Sequence, residues 1–291
     1  MGTSMGTGTE PSMNLTTILD YEFMRNAFVA TAIVGIVAGA VGYFLVLRGE
    51  TFAGHALAHV GFPGATGAAL VGLSPIAGLG LFTVIAGIGI GLLGSKAQRD
   101  VAIGIVLTLS LGLGLLFLHF YTAYAAQATN VLFGNVLGIS LGTVEVMAVL
   151  GFVSLVALLL IARPLLFASL QPELAEARGV RLGLVSTLFM VVVALSTIEA
   201  MQIVGVLLVF ALMVAPAAIA LRLTRRIATG IAMAVALAIA IAWASLVLSF
   251  LTDWPTSFWI TALGGVGYFA SSIGSGRRRR RPDSDRLRAT K

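Results

Sequence analysis

The chain is a succession of long apolar blocks separated by short polar joints, and that pattern decides the fold class before any single residue does. About 20 predominantly apolar residues suffice for a helix to cross the hydrocarbon core of a bilayer. Blocks of that kind lie near 25–47, 53–72, 76–94, 101–118, 143–162, 182–198, 203–221, 229–251 and 257–274. The pattern predicts an all-α, polytopic integral membrane protein with about nine transmembrane helices. Two joints are too long for plain turns. The stretch from His119 to Gly142 contains Asn130-Val131-Leu132-Phe133-Gly134-Asn135, moderately apolar, and reads as a short or re-entrant helix. Irregular backbone at membrane depth survives only where protein or a wet cavity covers it. The joint from Arg163 to Arg181 holds Gln171-Pro172-Glu173-Leu174-Ala175-Glu176-Ala177-Arg178-Gly179. Proline at the first position, acids in the first turns, then Arg and Gly at the end predict a short capped helix. On the cytoplasmic side such a helix is a docking peg for a soluble partner; a solvated linker is the plain alternative.

Basic residues supply the direction. Of 18 Lys and Arg, 17 follow odd-numbered blocks, and Arg25 is the exception. Lysine and arginine accumulate on the cytoplasmic side, so the N-terminus is expected outside and the C-terminus inside. Residues 1–22 are polar and rich in Gly, Ser and Thr; without a basic start or a short apolar core they read as a flexible extracytoplasmic terminus and not a cleaved signal. Residues 276–291 form an Arg-rich cytoplasmic tail whose run Arg277–Arg281 directly follows an apolar block, the pattern of an anchor on anionic lipid.

Composition removes other classes. The chain is 58% hydrophobic and only 10% charged, with mean hydropathy +1.03, where soluble domains carry about 25% charged residues. A soluble enzyme and a disordered tail protein are excluded. With no cysteine there is no disulfide frame, thiolate metal site or cysteine nucleophile. The net charge of +6 would suit nucleic acid, but it gathers at one tail with no interleaved aromatics and no second basic face, so no nucleic-acid partner is expected. Glycine pairs four apart, Gly35/Gly39, Gly87/Gly91 and Gly134/Gly138, let helices approach closely. Gly89-x-Gly91-x-x-Gly94 formally matches a dinucleotide fingerprint but follows no strand, and Gly94-Ser95-Lys96 lacks P-loop order. Any ATP hydrolysis belongs to another chain, and this one is not expected to be an enzyme.

Candidate chemistry centres on the second block. His55 and His59 are four apart and share one helix face, and neutral imidazoles at that spacing can clamp a divalent cation such as zinc. Two histidines bonded to backbone or water in a helix interface are the plain alternative. Ala56-Leu57-Ala58 between them supplies no general base, so this is not a protease motif. Gly61-Phe62-Pro63-Gly64 follows directly; proline removes a helical bond, and interrupted helices mark transport sites, so a helix break at Gly61, Pro63 and Gly64 is expected beside the pair. Glu199, near the outer end of the sixth block, reads as an additional ligand, an entry-funnel charge or a plain interfacial carboxylate. Glu145 and Asp253 have a weaker claim, His119 reads as interfacial, and Trp243, Trp254 and Trp259 fit belts or packing.

These segments together resemble a known family. Leu47-Arg48 leading into Gly54-His55-Ala56-Leu57-Ala58-His59-Val60-Gly61-Phe62-Pro63-Gly64 is similar to the second-span signature of zinc/manganese-type ABC transporter permeases, Gly-Asp-Ala-x-Ser-His-Ala-x-x-Pro-Gly. Leu132-Phe133-Gly134 looks like the family's outer segment, and Phe167–Gly179 resembles its coupling-helix loop. Val204–Ala218 resembles its most recognisable span, and Asp253-Trp254-Pro255-Thr256 its Asp-x-Pro-Thr turn. The likeness runs from about Phe23 to Ile273, making 23–275 the transmembrane domain. It implies a homodimeric importer channel in a bacterial cytoplasmic membrane, two cytosolic P-loop ATPase subunits and an extracytoplasmic metal-binding protein. It also implies that Gln171, Pro172, Glu173, Leu174, Ala175, Arg178 and Gly179 couple to the ATPase. The family's metal-path His corresponds to His59, but its Asp position holds His55 and its Ser is Ala58. Two imidazoles in place of a carboxylate–imidazole pair shift the ligand set toward zinc. The expectation is a permease working by alternating access, with no permanently bound cofactor and zinc as transported ion; manganese is the alternative. A secondary cation carrier independent of ATP and an intramembrane metallohydrolase are the competing classes.

Overall fold

The computed structural model describes residues 21–93, 96–120, 134, 136–206 and 209–279. Among these the chain contains no strand. Its helices are α1 (Glu22–Leu47), α2 (Thr51–Leu70), α3 (Pro75–Leu92), α4 (Lys96–Phe120), α5 (Leu141–Leu170), α6 (Pro172–Ala177), α7 (Leu182–Val204), α8 (Val209–Leu223), α9 (Ile227–Thr252) and α10 (Thr256–Arg279). One 3-10 turn, Val136–Gly138, precedes α5. Nearly all of the expected flexible start, most of the outer segment Asn130–Asn135 and most of the Arg-rich tail lie outside the described residues.

A helix lies over each of the nine predicted apolar blocks. Six of them are long and apolar enough to cross a membrane: α1, α3, α4, α5, α7 and α9. The other three miss that measure for visible reasons: α8 has 15 residues, α2 carries both histidines, and α10 is interspersed with Thr, Ser and Gly. Nine crossings and the sidedness of the termini are expectations from the sequence pattern.

The bundle has a centre and a rim. Within their spanning windows α1 and α7 are 72% buried, against 17–28% for α3, α4, α5 and α9. The low-hydropathy α2 packs against α1, α3, α4, α7 and α8. A helix enclosed by other helices need not be uniformly apolar, because polar side chains at membrane depth are tolerated facing a bundle interior.

Small residues set the crossings, as the glycine spacing predicts. A Cβ on Gly39 would lie 2.6 Å from the Val235 Cα of α9, and one on Gly87 would lie 2.9 Å from the Met190 carbonyl oxygen of α7. Gly64 of α2 and Gly78 of α3 face each other backbone to backbone, so these two helices meet with no side chain between them. Close approach of this kind is how helices associate where lipid is as apolar as leucine.

Three boundaries differ from the sequence expectation. Thr197–Gln202 reads as an outer joint because polar residues interrupt an apolar run, yet α7 continues to Val204, with Ser196 to Met201 buried. The helix ends where Gly205 adopts φ 78°, a conformation L-residues avoid. α5 runs past the expected end at 162, through Arg163 and Pro164 to Leu170; its 30 residues span about 45 Å at 1.5 Å per residue. Finally, α2 is not broken at Gly61-Phe62-Pro63-Gly64: Pro63 lies inside a continuous helix, in an enclosed position where packing offsets the lost bond.

The predicted short helix is present as α6. Pro172 occupies its first turn with Glu173. At its other end Gly179 has φ 82°, while the amides of Gly179 and Val180 donate to the carbonyls of Glu176 and Ala175, both at 2.9 Å. That pair of bonds is the Schellman closure of a helix C-terminus.

Candidate metal site on the second helix

One turn of α2 brings the two histidines together. The His55 and His59 ring centroids are 4.6 Å apart with the rings at 77°. His59 is buried and His55 half-buried. The Nδ1 atom of each is buried without a hydrogen-bond partner. Phe210 of α8 closes one side, its ring edge-on to His55 at 5.0 Å. Sequence alone did not single out Phe210, since nothing local links it to a histidine 155 positions earlier.

The residues after the pair fix α2 in place. A Cβ on Gly61 would meet the Met201 Cε of α7 at 2.7 Å and the Thr83 Oγ1 of α3 at 3.1 Å. Pro63 has no N–H, so it cannot give the His59 carbonyl its helical bond, leaving an oxygen beside the imidazoles without that donor. The expected helix break is thus a continuous helix with one missing bond next to the pair.

Glu199 does not join them. Among the described residues no group of three or more His, Asp or Glu is placed to hold a metal ion. The reason is rotational. Met201 faces α2, and Glu199, two residues earlier and so about 200° around the helix, faces elsewhere: its Oε1 lies 3.0 Å from where a Gly151 Cβ would sit on α5, beside Ile33 and Val37 of α1. Its side chain is fully buried within the bundle. The two imidazoles therefore offer a cation two protein nitrogens, with water or backbone oxygen to complete its shell. A partial donor set of that kind suits brief occupation of a path and not a closed structural site.

At the end of the bundle near α6, Arg48 gathers three helices. Its guanidinium donates to both Glu50 carboxylate oxygens, at 2.9 and 3.1 Å, and to Ser169 of α5 and Ser186 of α7 at 3.3 and 3.4 Å, with Phe189 of α7 beneath it. Two-point Arg–carboxylate geometry is strong and directional, so this cluster ties α1, α5 and α7 where α6 is attached. α6 itself is anchored by Ala175, fully buried, and by Arg178 over the Phe167 ring. Gln171, Pro172, Glu173, Leu174, Arg178 and Gly179 are exposed.

Residues 20–275 match the family described as the ABC 3 transport family. The manganese transport system membrane protein MntC of Halalkalibacterium halodurans is 34% identical over 212 residues, 72% of this chain and 73% of that protein. The manganese import system permease protein ScaB of Streptococcus parasanguinis is 34% identical over 202 residues, 69% of this chain and 72% of that protein. Among solved structures, PsaBC from Streptococcus pneumoniae in complex with Fab superposes with a TM-score of 0.79 at 27% identity, covering 89% of this chain and 95% of that chain.

Proposed function

The chain belongs to the ABC 3 transport family as a multi-pass membrane permease subunit, and from that premise we propose that it imports a divalent transition-metal ion, manganese first, across a bacterial cytoplasmic membrane. The observation that carries this is the pair His55 and His59 on an enclosed helix, with ring centroids 4.6 Å apart and the Nδ1 of each buried and unpartnered. Manganese is put ahead of zinc because the relatives at 34% identity bear manganese in their names, which reverses the order expected from the imidazoles alone. Manganese keeps a largely oxygen shell, so two nitrogens would be a minority of its ligands and release would be easy. Zinc stays as the second reading for one reason: imidazole suits it better than it suits manganese.

Transport proceeds by alternating access. With the outer side open, the ion reaches the histidines from an extracytoplasmic metal-binding protein. Nucleotide-driven closure of cytosolic P-loop ATPase subunits then moves α6. α6 passes the movement directly to α5 and α7, which flank it in sequence, and through the Arg48 cluster to α1. A second copy of the chain completes the channel, with the N-terminus outside and the C-terminus inside. The chain is the permease subunit, so hydrolysis is the partner's work. The exposed, doubly anchored α6 supports this reading of Gln171, Pro172, Glu173, Leu174, Ala175, Arg178 and Gly179 as the ATPase dock.

The test is radiolabelled manganese and zinc uptake by cells carrying the chain with its partner subunits. Uptake that stops when the ATPase is inactivated, with manganese outcompeting zinc, agrees with the proposal. Uptake that persists without any ATPase and collapses with a protonophore makes the chain a secondary carrier instead. Zinc outcompeting manganese makes the imidazole pair the better guide to the cargo.

A further inference from the structure

Glu199 has both carboxyl oxygens buried and no hydrogen-bond partner for either, and the residue is fully buried. Two serines share this condition, Ser196 on α7 and Ser154 on α5, at 1% and 0% exposure. Their state is unusual in this bundle. Thr31, Thr66, Thr83, Ser169, Thr197 and Ser245 all turn their hydroxyls back onto the carbonyl four residues earlier, the common resting place for such groups in a helix. Ser154 and Ser196 do not.

The three residues belong to one seam. α5 and α7 pack against each other, and Glu199 lies against Gly151. The two helices are joined through α6 at one end and run antiparallel, so three residues forward on α5 and three back on α7 lead the same way. Ser154 and Ser196 thus stand about 4.5 Å further along the seam toward α6, and three residues along a helix keeps each on the face of its neighbour. Gly151 has no side chain to fill the space beside the carboxyl group.

Among the described residues no cation is placed beside it. The Glu199 Oε1 shares the space over Gly151 with Ile33 and Val37 of α1. On α1, Glu22 and Arg25 lie two turns or more away, and Arg48 is bound to Glu50 at the opposite end. On α5, Glu145 and Arg163 are exposed. α3 has no titratable residue, and α2 meets α7 on the Met201 side, so His55 and His59 do not face it. Arg222 of α8 reaches Tyr268, and Glu173, Glu176 and Arg178 stand exposed on α6. An unpaired charge at such a place is far costlier than a neutral acid.

We propose that Glu199, Ser196 and Ser154 form a proton-binding site that closes the α5–α7 seam. The carboxylate takes one proton from water when the helices pack, forming the O–H bond of a carboxylic acid, and returns that proton to water when they part. The two hydroxyls, which do not bond to it directly, are its hydrogen-bond partners through one water molecule. The site lies on the same two helices that hold α6 at their other end, so its protonation is linked to the movement α6 transmits. It is separate from the histidine pair, and stands whichever metal the chain carries.

The test is infrared spectroscopy of the purified full-length chain in lipid nanodiscs, in heavy water at neutral pH. The expected result is a protonated-carboxyl C=O stretch that disappears in Glu199→Gln and moves in Ser196→Ala or Ser154→Ala. Glu199→Asp, which withdraws the group by one methylene, should also displace the band and serves if the Gln variant does not fold. A wild-type spectrum showing Glu199 only as ionised carboxylate would overturn the proposal, and so would a band that neither serine substitution moves.

Discussion

Adding one carbon atom to Gly64 is the sharpest perturbation of the helix that carries the histidines. An alanine Cβ there would stand 2.8 Å from the Phe82 Cβ and 2.9 Å from the Gly78 carbonyl carbon, with the Gly78 oxygen closer still. Ordinary contact begins at 3.4 Å, so α2 and α3 must separate by about 0.6 Å or more at their crossing, an overpacking that costs about 1–3 kcal/mol. Alanine in a helix recovers roughly 0.5–1 kcal/mol over glycine, which leaves Gly64→Ala neutral to about 2.5 kcal/mol less stable by the same ranges. Gly89 on α3 is the control, because a Cβ there meets nothing within 4 Å and retains the helix gain. The two variants should therefore differ by about 1–3 kcal/mol, read as unfolding midpoints of the purified chain in one detergent. Gly64→Ala should also reduce metal uptake, since the crossing lies just over one turn from His59. Equal midpoints for the two variants would refute the claim that this crossing is packed to contact.

Three further outcomes are expected. A protonated imidazole cannot ligate, so uptake should fall as external pH is lowered and recover on return; a flat profile with intact partners counts against imidazole ligation. Leu174→Asp, on the exposed face of α6, should abolish co-purification of the ATPase while leaving the unfolding midpoint within about 0.5 kcal/mol of wild type. Replacing Arg48 by Met and Glu50 by Gln, singly and together, should give a coupling free energy of about 1.5–3 kcal/mol in a double-mutant cycle, and a value near zero would remove the Arg48 cluster from the account.

Much of this was legible in the chain. Apolar run length located a helix for each block, because a membrane span needs about 20 predominantly apolar residues, and glycine spacing marked the α1–α9 and α3–α7 crossings. The ends of α6 were readable because proline and glycine act through the local backbone alone. The face shared by His55 and His59 follows from helical spacing. What escaped depends on neighbours distant in sequence. Thr197–Gln202 looks like a joint when polarity is read along the chain, but packing of α7 in the folded bundle buries Thr197 to Met201. Pro63 and Pro164 look like stops, but each lies in a helix that packing carries through. Glu199 has the chemistry of a ligand, and only the rotation of α7 against α2 and α5 decides that it faces Gly151. Ser154 and Ser196 gave no signal one at a time; their meaning comes from the seam that places them with Glu199.

The central claim is that His55 and His59 are the metal path. Its most direct test compares manganese and zinc uptake by the whole transporter in wild type, His59→Ala and His55→Asp, with ATPase assembly verified in each. The account predicts uptake lost in His59→Ala and a manganese-to-zinc ratio raised in His55→Asp. If both variants carry both metals as wild type does, the histidines are packing residues and the path lies elsewhere.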